Sequence, residues 1–265
     1  MTRPSPSPPQ PASAAAWRAR PFGSTPADID IAFGDRDRAA TVTSLLTSCV
    51  STADGCSVDQ EEAWDWTLNQ RLQALIAMRL ASGDTTIDVQ AACAQCGEAM
   101  ELGLDLQAFA AAPVAPRFTW RRDDETAVEL RLPSGRDLQR WLHDGIRSPA
   151  TMVAALVDAV VGETVGAEQR VPESWLSALD DAFEAHDPLT ALRLQTQCPA
   201  CAHVNALACD LEALLLAGFA RTQARLLDDV LRLASTFHWS EAEILALPRW
   251  RRKHYLRQLD AEAWA

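Results

Sequence analysis

Two C-x-x-C pairs, Cys93/Cys96 and Cys198/Cys201, stand 105 residues apart, and the likeness between their surroundings runs well past the cysteines. The stretch from Ile87 to Phe109 reads IDVQAACAQCGEAMELGLDLQAF, and that from Leu192 to Leu214 reads LRLQTQCPACAHVNALACDLEAL. Aligned without a gap, Gln90 meets Gln195, Leu102 meets Leu207, Asp105 meets Asp210, Leu106 meets Leu211 and Ala108 meets Ala213. One pair offers two thiolates, whereas a structural zinc takes four ligands in a tetrahedron. Two copies of one strand-knuckle-strand unit, brought face to face, supply them. The residues between the copies must then form an excursion that returns the chain to the same place. Metal binding would weld its two ends, so that binding free energy becomes folding free energy.

Cys93, Cys96, Cys198 and Cys201 are therefore the expected ligands of a structural Zn2+. In such a knuckle the first cysteine ends a strand, and the following turn aims backbone N–H groups at the sulfurs. Gly97 and Ala202 come just after the second cysteines, where a small residue suits a backbone with positive φ. Free core or surface thiols are the competing reading; they account for one pair but not for its duplication. Thioredoxin-like redox chemistry places its first cysteine at a helix N-terminus, and here each pair sits between strands. A catalytic zinc needs an open position, which four thiolates close. Cys209 is expected in the hairpin core, Cys49 and Cys56 as buried or loop thiols, and His203 as an exposed or outer histidine.

The composition excludes several partners. A formal net charge of −12 over 265 residues works against nucleic-acid binding, which needs a cationic surface, and against anionic membranes. No apolar run approaches the length of a membrane helix, and the N-terminus has no apolar core of a secretory signal. The expected setting is the bacterial cytoplasm, with carriage into an assembled particle left open. Thiols stay reduced there, so paired cysteines read as metal ligands before disulfides.

Residues 1–28 read as a disordered Pro/Ser/Ala-rich arm, since seven of the fifteen prolines fall before residue 28. Residues 29–265 read as a single helical domain with a zinc-ribbon centre, its knuckles at 87–109 and 192–214. The fold class is mainly α with a small β component: duplicated knuckles joined by a helical excursion, then long C-terminal helices. Helices are expected at 38–50, 61–81, 135–143, 149–161 and from Pro172 to about Phe183. A hairpin is expected over Phe118 to Leu132, turning at Asp123-Asp124. Asp210 caps a long helix to about Phe237, Ser240 and Glu243 form a capping box, and Pro248 opens a last helix.

Nucleophile elbows, zincin motifs, phosphate loops and dinucleotide fingerprints are absent. Asp123-Asp124-Glu125 reads as a solvated turn and Glu61-Glu62 as helix N-terminal chemistry. The one dense basic patch, Arg249 to Arg257, admits a helix-turn-helix reading. The net charge opposes it, and a solvated or protein-contacting face is favoured.

Taken in order, several segments resemble the T4-like phage baseplate hub assembly chaperone family of contractile phage tails and contractile injection systems. They are NQRLQALIAMRL, CAQCGEAMELGLDL, VELRLPSGRDL, DPLTALRLQTQCPACAH and RLLDDVLRLASTFHWSEAEILALPRWRRKHYL, together spanning about Ile29 to Leu259. Ala94 stands where the family's first knuckle has proline, and the proline-rich arm is not a family feature. The resemblance implies a non-enzymatic protein that helps build the hub of a contractile-tail baseplate, with hub or spike proteins as partners and neither nucleic acid nor membrane. Phe237, Trp239, Trp250, Arg251 and Tyr255 are the candidate partner-binding residues, because aromatics and arginine dominate protein interfaces. The same aromatics could instead pack the turn between helices. A structural subunit retained in the baseplate is the alternative, and a zinc-ribbon nucleic-acid-binding regulator ranks third.

Overall fold

The computed structural model describes residues 17–34, 37–110, 114–121, 127–146, 148, 151–152, 155–157 and 173–262. Strand β1 (Trp17–Ala19) pairs antiparallel with β2 (Val50–Thr52). Residues 17–28, expected to belong to a disordered arm, are therefore ordered. Phe22 is buried, with its ring 5.4 Å from that of Phe219. The reason is a buried carboxylate. Asp28, fully buried, accepts hydrogen bonds from the backbone N–H of Gly23, Ser24 and Thr25 and from both Nη atoms of Arg20 at 2.6 and 2.7 Å. Pro26 opens the short helix α1 (Pro26–Ile29). Two of the arm's prolines thus belong to an ordered turn, while residues 1–16 lie outside the described residues.

The main core forms between α2 (Arg38–Cys49), α3 (Gln60–Asp65), α4 (Leu68–Ala81) and the long helix α7 (Leu211–Phe237). Val42, Leu45, Leu46, Leu75, Ile76, Met78, Leu215 and Phe219 are essentially inaccessible to solvent. Each such side chain contributes about 1.5–3 kcal/mol of burial free energy. The single helix expected at 61–81 is two. Trp66 is extended, and Thr67 starts a new helix by accepting from Gln70 N at 3.2 Å while Gln70 Oε1 accepts from Thr67 N at 2.9 Å. The apolar period runs straight through this joint, which hides it from periodicity.

The joint houses Arg71, which is fully buried. It donates to Ala63 O at 2.7 Å, Ala39 O at 2.6 Å and Thr43 Oγ1 at 3.1 Å, and its guanidinium lies 5.4 Å from the Trp64 ring centre. Gly135 covers it so closely that a Cβ there would sit 2.5 Å from Arg71 Nη1. Gly135 opens α5 (Gly135–His143), which follows the hairpin of β5 (Arg117–Arg121) and β6 (Ala127–Arg131). Leu68 N donates to Pro133 O and Gly135 N to Trp66 O, which locks hairpin and helix against the joint.

A second core, of Leu130, Val157 and Leu179 with Phe118, Trp120, Trp175 and Phe183, joins this hairpin to α6 (Glu173–His186). Buried Asn69 donates to buried Asp187 at 2.8 Å, tying the end of α6 back to α4. The expected turn at Asp123-Asp124 and most of the helix expected at 149–161 lie outside the described residues.

Asp210 caps α7 by accepting from Ala213 N at 2.9 Å, and Arg38 grips the same carboxylate at 2.8 Å to each oxygen. α7 ends at His238, whose φ is 59°. Ser240 and Glu243 cap α8 (Glu241–Ala246), and α9 (Arg249–Glu262) folds back so that Leu233, Ile244 and Leu256 form a third core. The architecture is mainly helical with small antiparallel hairpins, as the sequence indicates.

Candidate metal centre

The two cysteine units are built alike. Strands β3 (Thr86–Ala92) and β4 (Ala99–Asp105) pair from Thr86–Asp105 to Ala92–Ala99. Strands β7 (Arg193–Gln197) and β8 (Val204–Ala208) pair from Arg193–Ala208 to Gln197–Val204. Each hairpin turns through its C-x-x-C with the same two hydrogen bonds. Cys93 N donates to Glu98 O at 2.8 Å and Gly97 N to Cys93 O at 2.9 Å; Cys198 N donates to His203 O at 2.8 Å and Ala202 N to Cys198 O at 3.0 Å. Gly97 has φ 76° and Ala202 φ 59°, the positive values expected for both positions. At Ala202 the left-handed backbone is adopted by a residue with a Cβ, which costs roughly 1–2 kcal/mol.

The fold brings the two turns together. The Sγ atoms of Cys93, Cys96, Cys198 and Cys201 all lie within 4.8 Å of one another. The Cys93–Cys201 and Cys96–Cys198 separations are both 3.7 Å. A tetrahedron with metal–sulfur bonds of about 2.3 Å has an edge of roughly 3.8 Å, so the donor set fits a tetrahedral thiolate-bound ion. All four cysteines are free thiols rather than disulfides. Cys93 and Cys198 are buried and Cys96 and Cys201 exposed, so each turn offers one inner and one outer thiol. Among the described residues this is the one cluster of His, Cys, Asp or Glu with metal-holding geometry.

Hydrogen-bond donors converge on the sulfurs. Burial pushes the Cys93 thiol up, but the backbone N–H groups of Cys96 and Gln95 and the Asn205 amide outweigh it and bring it down to about 6. The N–H of Glu98 favours the Cys96 thiolate, yet the neighbouring sulfurs, Cys201 first, raise that thiol; the N–H of His203 favours the Cys201 thiolate, yet burial and then the Cys198 and Cys93 sulfurs raise it. Four crowded thiols cannot all ionise unaided, and a dication removes that conflict.

Asn205 is a member of the site that sequence reasoning missed. It is buried, donates to Cys93 Sγ at 3.6 Å and His203 O at 3.1 Å, and accepts from Ala94 N at 2.9 Å. One amide thus ties the second hairpin to the first knuckle. The signal lay in the repeat, where Asn205 aligns with buried Met100 and a polar group replaces an apolar one.

The remaining candidates fall elsewhere. The His203 backbone is used, while its exposed ring is no ligand. His186 stacks on Phe118 at 4.2 Å and its Nε2 lies 2.8 Å from Ala115 O. Cys209 is buried, Cys56 is exposed, and burial first, then Asp28, pushes the Cys49 thiol up to about 12. Glu61 pairs with Arg136 at 2.6 Å on the surface. Asp123, Asp124 and Glu125 lie outside the described residues.

Phe237, Trp239 and Tyr255 come together at the joint of α7, α8 and α9, with ring centroids 4.8 to 5.8 Å apart. Trp239 and Tyr255 also pack against the third core, so much of their surface is committed within the chain. Trp250 is 66% exposed, with the Arg251 guanidinium 5.6 Å from its ring centre. No helix among the described residues is long and apolar enough to cross a membrane.

A family model described as T4 bacteriophage base plate protein matches residues 34–215. That span holds both knuckles, the excursion between them and the first turn of α7; the C-terminal segment from Arg225 lies beyond it. No curated protein and no solved structure matches the chain.

Proposed function

Because the chain belongs to the T4 bacteriophage base plate protein family, we propose that it is a non-enzymatic assembly chaperone for the hub of a contractile-tail baseplate, held in shape by a structural zinc. The observation that carries this reading is the family match over a span whose centre is a closed four-thiolate node. Such a node fixes shape and leaves no open coordination position for chemistry. Zinc is the ion that four thiolates at this spacing suit best, and the bacterial cytoplasm is where assembly would take place. The exposed Trp250 and Arg251 at the start of α9, together with the Phe237–Trp239–Tyr255 joint, are the proposed contact for a hub or spike protein.

A second reading, a subunit retained in the finished baseplate, is favoured by the family's own description as a base plate protein. One experiment separates the two. Tagged protein is recovered from its native host, fractionated by sedimentation and identified by mass spectrometry. Hub or spike subunits in light fractions, with this chain missing from intact particles, support the chaperone. The chain riding stoichiometrically with intact particles supports the retained subunit. Salt-sensitive recovery of nucleic acid in place of either would overturn both.

A further inference from the structure

The outer face of α7 carries an apolar seam that the described fold leaves open at Leu227 and Leu231 and covers in part at Ala220 and Ala234. Leu211, Leu215, Phe219, Leu226 and Leu233 face the cores. On the other side Ala217, Ala220, Ala224, Leu227, Leu231 and Ala234 follow one another in alternating steps of three and four residues. That is the a/d spacing of a coiled-coil seam. Leu227 is 47% and Leu231 69% exposed. Ala217 and Ala224 are exposed, Ala220 is half-buried, and Ala234, at the end of the seam, is half-buried with part of its surface against the third core. A helix that packs by one face ordinarily turns charged or polar residues to solvent on the other.

We propose that this seam joins two copies of the chain through an antiparallel pair of α7 helices. The occupant follows from self-complementarity. A two-fold axis passing between Arg225 and Leu226 sets Ala224 opposite the partner's Leu227, Ala220 opposite the partner's Leu231 and Ala217 opposite the partner's Ala234. Both exposed leucines then meet a small residue, which lets the helices approach closely. The same axis sets Arg221, next to the seam, beside the partner's Asp228, and by symmetry the pair occurs twice. Among the described residues neither Arg221 nor Asp228 makes an ion pair within the chain, whereas nearby Arg232 holds Asp260 and Asp229 holds Arg252. An isologous contact needs one patch that matches itself, and this one does in both size and charge. The helices are already folded, so dimerisation costs no helix-forming entropy. The seam is short, about 27 Å at 1.5 Å per residue, so the dimer should depend on concentration.

Sedimentation velocity of the full chain, from micromolar to sub-millimolar concentration, should show a shift from monomer to dimer. Leu231→Arg should hold the chain monomeric with its circular dichroism and metal content unchanged, since the side chain is exposed. Arg221→Asp and Asp228→Arg should each weaken the dimer, and the two together should restore it. A wild-type chain that stays monomeric throughout would overturn the proposal, as would a dimer indifferent to Leu231→Arg. Failure of the double charge exchange to restore association would overturn the antiparallel register. A monomer that instead holds another baseplate protein through Leu231 would assign the seam to a foreign helix, again against the proposal. The seam stands independently of the chaperone reading, because its test needs no client.

Discussion

At the residue scale, the candidate metal centre draws on groups beyond its four cysteines. Asn205 supplies both a donor to Cys93 Sγ and an acceptor for Ala94 N, so it orients one candidate ligand and one turn at once. Asn205→Leu should leave the four thiols in place but weaken metal retention about 10- to 100-fold, the usual cost of losing an outer-shell partner. Competition against a chelator reads this directly, and unchanged retention would mean that the amide only fills space. Ala202 makes the opposite prediction. Its left-handed backbone is strained where Gly97 in the first copy is not, so Ala202→Gly should stabilise the fold by about 0.5–1 kcal/mol, seen as a higher urea midpoint. The cysteines, Gly97 and Ala202 were legible because a repeat at fixed offset marks related positions. Asn205 was visible only as a break in that repeat, and such a break carries no chemistry until the two copies face each other.

At the scale of elements, the joint between α3 and α4 organises the first half of the chain. Thr67-x-x-Gln70 is a capping box that could have been read from sequence, but the apolar spacing of Trp64, Leu68 and Leu72 continues across it and favours one long helix. The burial of Arg71 was not legible at all. An arginine in an amphipathic helix reads as solvated until the carbonyls of Ala39 and Ala63 are seen to converge on it. Burial pulls its guanidinium down to about 10, with Glu212 and then Asp37 opposing, so it stays charged at neutral pH. Arg71→Met should therefore cost about 3 kcal/mol, since it leaves buried carbonyls without donors. Gly135→Ala should cost about 1–3 kcal/mol by overpacking, because its Cβ would meet both the pinned guanidinium and the Trp64 carbonyl oxygen. Equilibrium urea unfolding of both variants checks this, and a neutral Gly135→Ala would show that the joint can yield. Helix caps at Asp210 and Ser240 were read correctly because capping is local. The N-terminal turn was missed because Pro21 and Pro26 carry the composition of a tail. Only the contact of Phe22 with distant Phe219 and the buried carboxylate of Asp28 reveal that the turn between them is ordered.

At the scale of the whole molecule, two buried carboxylates make the fold sensitive to acid. Burial alone would raise the Asp28 carboxyl, but Arg20 and the surrounding N–H and hydroxyl donors outweigh it and hold it below its ordinary 3.8. Arg131 and Ser134 do the same for Asp137. A carboxyl depressed in the folded state adds stability above its unfolded value and loses it as pH falls through the folded one. Stability should therefore decline below about pH 4. Asp28→Asn should be less stable at neutral pH but show a flatter decline in that window. Comparing the two proteins in parallel separates this effect from acid loss of the metal, and parallel acid profiles would argue against Asp28 as a contributor.

The central claim is that the two halves of the repeat hold one ion between them and so fold as a unit. Native mass spectrometry of gently purified protein, followed by thiol labelling with and without chelator, tests it most directly. One zinc per chain is predicted, with Cys93, Cys96, Cys198 and Cys201 protected together and released together while exposed Cys56 labels throughout. A chain that carries no metal, or whose two cysteine pairs label independently of each other, would contradict it.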